Sequence, residues 1–146
     1  MFTINRLTKF FILSFCVISP WLVFAADKPF TGVFEGQGRG CYGKLFIKTK
    51  TIEWNTPFTV CKQTPYTILE KDFSTKSPHI AYLLKNSSEK ACGLQVIEVK
   101  FNPEYPDYWK AIGYPTIDDF YNKNDPNSDT LSCSIWVLKG SQLMGF

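Results

Sequence analysis

The feature that most constrains this chain is a series of short stretches in which apolar and polar residues alternate, each closed by turn-forming residues. Leu94–Phe101, LQVIEVKF, is the clearest, with Leu94, Val96, Ile97 and Val99 supplying apolar and β-branched side chains. A period of two suits a half-buried strand and does not suit a helix. Lys44–Lys48 (KLFIK) and Thr51–Trp54 (TIEW) repeat the pattern around a tight KTK connection, the mark of a hairpin. Phe30–Gln37 is glycine-interrupted, and Phe58–Cys61 and Tyr66–Glu70 are separated by the turn-prone KQTP. His79–Lys85, the polar turn KNSSEK and Leu131–Leu138 complete the set. Strands this short and this closely spaced predict an all-β, mainly antiparallel domain, either a small β-barrel or a β-sandwich.

One segment breaks the rhythm. Pro103–Asn127 holds four prolines, and Tyr105, Tyr108, Trp109 and Tyr114 all precede Pro115. It reads as a long loop without regular strand structure. Thr116 followed by Ile117-Asp118-Asp119 resembles an N-cap with acids in the first turn, so one short helix is expected over Ile117–Lys123, in the C-terminal third. Trp109 and Phe120 are expected to pack over one end of the barrel. Tyr105, Tyr108 and Tyr114 are expected to form a recognition face, since tyrosine is enriched at interface hot spots. Arg39, the one arginine after residue 25, is set between glycines and is a candidate for the same face, because its planar fork can hold a carboxylate or phosphate.

The N-terminus has the layout of an export signal. Arg6 and Lys9 precede the apolar run Phe10–Phe24, and Val23-Phe24-Ala25 offers a peptidase site after Ala25. The run is broken by Pro20 and is shorter than the ~20 apolar residues that span a bilayer. Residues 1–25 are therefore read as a signal peptide and 26–146 as a single secreted β-domain, periplasmic or extracellular, with no stable membrane insertion after cleavage. Removing Arg6 and Lys9, with no acid among residues 1–25, lowers the net charge from +3 to +1. With no basic tract, nucleic acid is not an expected partner.

Cys16 leaves with the signal, so Cys41, Cys61, Cys92 and Cys133 remain. An even count in a small exported domain predicts two disulfides. Four cysteines allow three connectivities, and pairing near neighbours favours Cys41–Cys61 and Cys92–Cys133. A zinc site is disfavoured by the lack of a C-x-x-C pair and by a single histidine, His79.

Gly38–Gly43, GRGCYG, fits G-x-G-x-x-G, but a dinucleotide loop must open a helix. The residues that follow have strand periodicity, so these glycines, with Gly32 and Gly36, are read as letting a first strand bend or approach a neighbour closely. Gly32-Val33-Phe34 and the glycine-rich strand after it resemble the G-x-W opening of lipocalin-type barrels, with phenylalanine in the tryptophan position. The resemblance implies an up-and-down barrel whose mouth takes an apolar ligand.

No catalytic constellation stands out. His79 follows Ser77-Pro78 at a strand edge, a structural position. Asp125–Asp129 imitates the opening of an EF-hand loop but continues with Thr130 and Trp136 where glycine and glutamate are required. Glu104, Asp107, Asp118 and Asp119 offer material for a glycosidase pair without a positioned partner. No cofactor and no metal are expected. The leading expectation is a non-enzymatic periplasmic or secreted binding protein acting on another protein, inhibitor-like or immunity-like. A lipocalin-like carrier of a small apolar ligand and a secreted hydrolase with a carboxylate pair are the alternatives.

Overall fold

The computed structural model describes residues 28–85, 92–125 and 129–145. The signal peptide, most of the KNSSEK turn and the middle of the EF-hand-like stretch lie outside the described residues. Eight strands follow in order: β1 (Gly32–Gly36), β2 (Gly43–Ile47), β3 (Thr51–Asn55), β4 (Val60–Asp72), β5 (His79–Leu84), β6 (Val96–Phe101), β7 (Trp109–Tyr114) and β8 (Leu131–Val137). Each pairs antiparallel with the next, and β8 pairs back onto β1 through Phe34↔Val137 and Gly36↔Ile135. The result is a closed up-and-down barrel, which leaves no unpaired sheet edge.

Alternation along each strand decides what fills it. Phe34 on β1, Leu45 on β2, Ile52 and Trp54 on β3, Ile80 and Tyr82 on β5, Ile97 and Val99 on β6 and Ile135 on β8 are all fully buried and share the main core. At one end Phe30, Phe73, Phe101 and Trp109 close the lumen as touching rings, with centroids 5.3 Å apart for Phe30–Phe73 and Phe101–Trp109 and 5.5 Å for Phe30–Trp109. Trp109 thus packs over a barrel end, as expected. Large side chains inside an eight-stranded barrel fill it as a core.

A helix, α1 (Ile117–Tyr121), lies against the outside. Thr116 is its N-cap: the Thr116 hydroxyl accepts from Asp119 N at 3.1 Å, and Asp119 Oδ2 accepts from Thr116 N at 3.1 Å. This reciprocal capping box satisfies two otherwise orphaned donors. Phe120, unlike Trp109, does not cover a barrel end; it enters a second cluster with Ala81, Val96 and Tyr114. Covering by α1 explains why β6 is buried on both faces through Val96, Ile97, Glu98 and Val99, where alternation predicts one wet face.

Three sequence readings need correction. The pair of strands around KQTP is one 13-residue strand, β4, whose pairing is interrupted by register shifts opposite β3 and β5. Pro65 is tolerated because it pairs with Thr51, where β3 begins. The segment read as loop contains β7, whose inward residues Trp109, Ala111 and Gly113 face the lumen. Gly38 and Gly40 sit in the β1–β2 connection, while Gly36 ends β1 and Gly43 opens β2. A Cβ on Gly36 would collide with the Cys41 carbonyl, and one on Gly43 (φ +147°) with that of Asn55. Two antiparallel strands flank GRGCYG, so no helix N-terminus faces it.

The disulfides are Cys41–Cys133 and Cys61–Cys92, not the near-neighbour pairs. Closure of β8 onto β1 brings Cys133 beside the β1–β2 loop that carries Cys41. Cys61, near the start of β4, meets Cys92 in the β5–β6 connection. Both bridges therefore staple the same end of the barrel, opposite the Phe30–Trp109 ring plug.

Candidate functional site

The structure divides the residues singled out in the sequence among three places on the outer wall and ends of the barrel.

Tyr114 is not on a recognition face. It is only 2% exposed, on the outer side of β7 but under α1, its ring 5.3 Å from that of Phe120. Its hydroxyl donates to Glu98 Oε2 at 2.8 Å. Glu98, 4% exposed, also receives Lys123 Nζ at 3.2 Å, and Lys123 approaches Glu70 at 3.9 Å. His79 Nε2 lies 3.6 Å from the same Glu70. Burial, then the Glu98 carboxylate, raises the Tyr114 pKa well above the ordinary tyrosine value. This is a chain of partnered polar groups, in which Tyr114 and Lys123 meet at the Glu98 carboxylate beside α1. Sequence reasoning passed over Glu98 because strand alternation places it on the solvent side.

Tyr105 and Tyr108 do share a face. They belong to the β6–β7 loop, which is held by Asn102 N to Tyr108 O (3.3 Å), Tyr105 N to Asn102 O (3.2 Å) and Tyr108 N to Tyr105 O (2.9 Å). Tyr105 is exposed, and Tyr108 stands perpendicular to Trp136 of β8 with ring centroids 6.2 Å apart. The pairing of β7 with β8 places Trp109 opposite Ile135, so Tyr108, one pair further out, meets Trp136. Trp136 was missed in the sequence because it is brought to Tyr108 only by the register of two strands. A cleft of about 570 Å³ opens here between Trp136, Tyr108, Asp107 and Gln37, and a smaller one of about 200 Å³ lies between Tyr108, Tyr105, Asn102 and Gln37.

The third place is the stapled end. Arg39 lies in the β1–β2 loop with Tyr42, which is 71% exposed, and Phe58 in the β3–β4 turn is 77% exposed. The turn is rigid: Thr56 Oγ1 accepts from Phe58 N (3.3 Å) and Thr59 N (3.0 Å), and Thr56 N donates to Thr59 O (2.8 Å). A Cβ on Gly40 would stand 3.5 Å from the Phe58 ring, so Phe58 rests on the loop that carries Arg39. The sequence pattern places Phe58 at the start of a strand; the structure places it in the Thr56 turn, which sets its exposure.

Of the four acids considered for a carboxylate pair, Asp119 is engaged in the α1 cap, Asp118 lies beside it in the first turn of the same helix, Asp107 lines the larger cleft and Glu104 N is tied to Asn102 Oδ1. Among the described residues no group of three or more His, Cys, Asp and Glu is placed to hold a metal ion.

Fold and surface together define a disulfide-stapled, eight-stranded antiparallel barrel with a filled core and aromatic outer faces. Compared with protein-family models, curated proteins and solved structures, the chain matches none.

Proposed function

We propose that this is an exported, non-enzymatic binding protein that acts on another protein through the stapled end of the barrel. The observation that carries this reading is Phe58, a large apolar side chain 77% exposed on a hydrogen-bonded turn between two disulfide-anchored loops. A ring that rests on Gly40 with most of its surface in water adds little stability, whereas a preorganised ring loses little entropy when it fills a partner's pocket. Arg39, next in sequence to the Gly40 on which Phe58 rests, gives the partner a second requirement, a carboxylate near that pocket. Two disulfides support an oxidising compartment. Among the described residues no helix is long and apolar enough to cross a membrane. Lys44, Lys62, Lys100 and Lys110 are exposed on the strands and the lumen is apolar, the inverse of a lipid-facing barrel. Phe34, Trp54 and Tyr82 in the lumen favour an outer-surface partner over an internal apolar ligand.

The test is site-specific photocrosslinking from position 58 in the exported protein, with position 144 as control. The reading expects one protein crosslinked from position 58 alone. Arg39→Glu should abolish that crosslink, and the purified partner should bind the wild type with fixed stoichiometry. Equal crosslinking from both positions, or indifference to Arg39→Glu, would overturn it.

A further inference from the structure

Two adjoining clefts lie beside Tyr108. We propose that the paired clefts bind a short neutral oligosaccharide, with consecutive sugar rings against the Tyr108 ring.

Tyr108 and Gln37 line both clefts, so the two clefts adjoin at these side chains. The larger cleft, about 570 Å³, adds Trp136 and Asp107; the smaller, about 200 Å³, adds Tyr105 and Asn102. The larger volume falls in the range of about 300–1,000 Å³ usual for small-ligand sites. Each cleft thus combines aromatic rings with one or two planar amide or carboxylate groups. That combination matches a pyranose ring, one face of which presents C–H groups suited to the negative face of an aromatic ring. The equatorial hydroxyls at its rim need paired donors and acceptors, which amides and carboxylates supply in one plane.

Charge narrows the class. Apart from tyrosine, Asp107 is the only ionisable side chain among the described residues that line the two clefts. With no cation at the walls, a phosphorylated, sulfated or uronic ligand would meet only a carboxylate, so the ligand is uncharged. The site is also preorganised. Three backbone hydrogen bonds set the β6–β7 loop, Asn102 Oδ1 accepts from Glu104 N at 3.1 Å, and Gln37 N donates to Ser134 O at 3.1 Å across β1 and β8. Both clefts are open to water, which suits an extended chain passing across Tyr108 and predicts weak affinity, with Kd on the order of 1 mM.

The experiment titrates the folded, oxidised protein with cellotetraose and, separately, chitotetraose, following backbone amide and tryptophan indole resonances by NMR to roughly 10 mM, ten times that Kd. Saturable shifts at Trp136, Tyr108 and Gln37 with at least one sugar are expected, and the stronger of the two tells whether N-acetyl groups are read. Trp136→Ala and Gln37→Ala should each weaken binding about tenfold or more, a loss of roughly 1.4 kcal/mol. Gln37 is exposed, so its variant tests the site even if Trp136→Ala disturbs the wall. Shifts for neither sugar, shifts centred elsewhere, or binding unchanged in Gln37→Ala would overturn the proposal, as would occupation of these positions by a protein partner while both sugars stay silent.

Discussion

The Tyr114 hydroxyl donates to Glu98 Oε2 at 2.8 Å beneath helix α1, so a tyrosine that reads as a surface ring is the inner lining of a helix–barrel contact. Tyr114→Ala is expected to cost roughly 3–5 kcal/mol, the scale of large aromatic truncations. Tyr114→Phe should cost about 1–3 kcal/mol by leaving Glu98 short of a donor. Denaturant unfolding measures both. The raised pKa adds a signed pH effect. Above about pH 10 the unfolded tyrosine ionises while the folded one keeps its proton, so the unfolded state binds fewer protons and stability falls as pH rises. Below pH 10 this contribution is fully present. The alkaline loss should be smaller in Tyr114→Phe; equal losses in both proteins would contradict the assignment.

Tyr82 poses the opposite case. Its ring is fully buried in the lumen against Tyr66, with centroids 4.6 Å apart, and its hydroxyl meets no hydrogen-bond partner among the described residues. An unsatisfied buried hydroxyl is costly. Tyr82→Phe should therefore leave stability unchanged or raise it by about 1 kcal/mol. A clear loss would mean that the hydroxyl is satisfied.

Peptide mapping of the unreduced protein should recover Cys41 with Cys133 and Cys61 with Cys92. Loop-closure entropy assigns each bridge roughly 3.5–4.7 kcal/mol, more for the one with the longer span. Cys41–Cys133 spans 92 residues and Cys61–Cys92 spans 31, so the Cys41→Ser/Cys133→Ser double variant should lose more stability than its counterpart.

Phe58→Ala and Tyr105→Ala should shift Tm by a few degrees at most, since exposed side chains typically contribute within about 0.5 kcal/mol. Tyr108→Ala should cost more, roughly 0.5–1.5 kcal/mol, through the lost ring pair with Trp136. Calorimetry on the three variants orders them, and a loss at Phe58 as large as at Tyr114 would remove the basis for an exposed docking ring.

Much of the architecture was local and therefore legible. Period-two alternation marked β2, β3 and β6, short turn-bounded apolar stretches marked β1, β4, β5 and β8, and Thr116 with the acids after it marked the helix start, because side-chain direction and capping are decided within a few residues. β7 was hidden because its inward positions are Trp109, Ala111 and Gly113, a taper from large to none, so a hydrophobic alternation never appears. Even cysteine number announced two bridges.

What tertiary structure decided was everything that depends on which distant strands become neighbours. Closure of β8 onto β1 chose barrel over sandwich and paired Cys41 with Cys133 across 92 residues. The β7–β8 register set Trp136 against Tyr108 and built the clefts beside it. Docking of α1 buried Tyr114 and Glu98, which alternation alone points toward water. Loop length and local propensity carry no record of such contacts. They follow from burying one continuous apolar lumen, a constraint that acts on the whole chain at once.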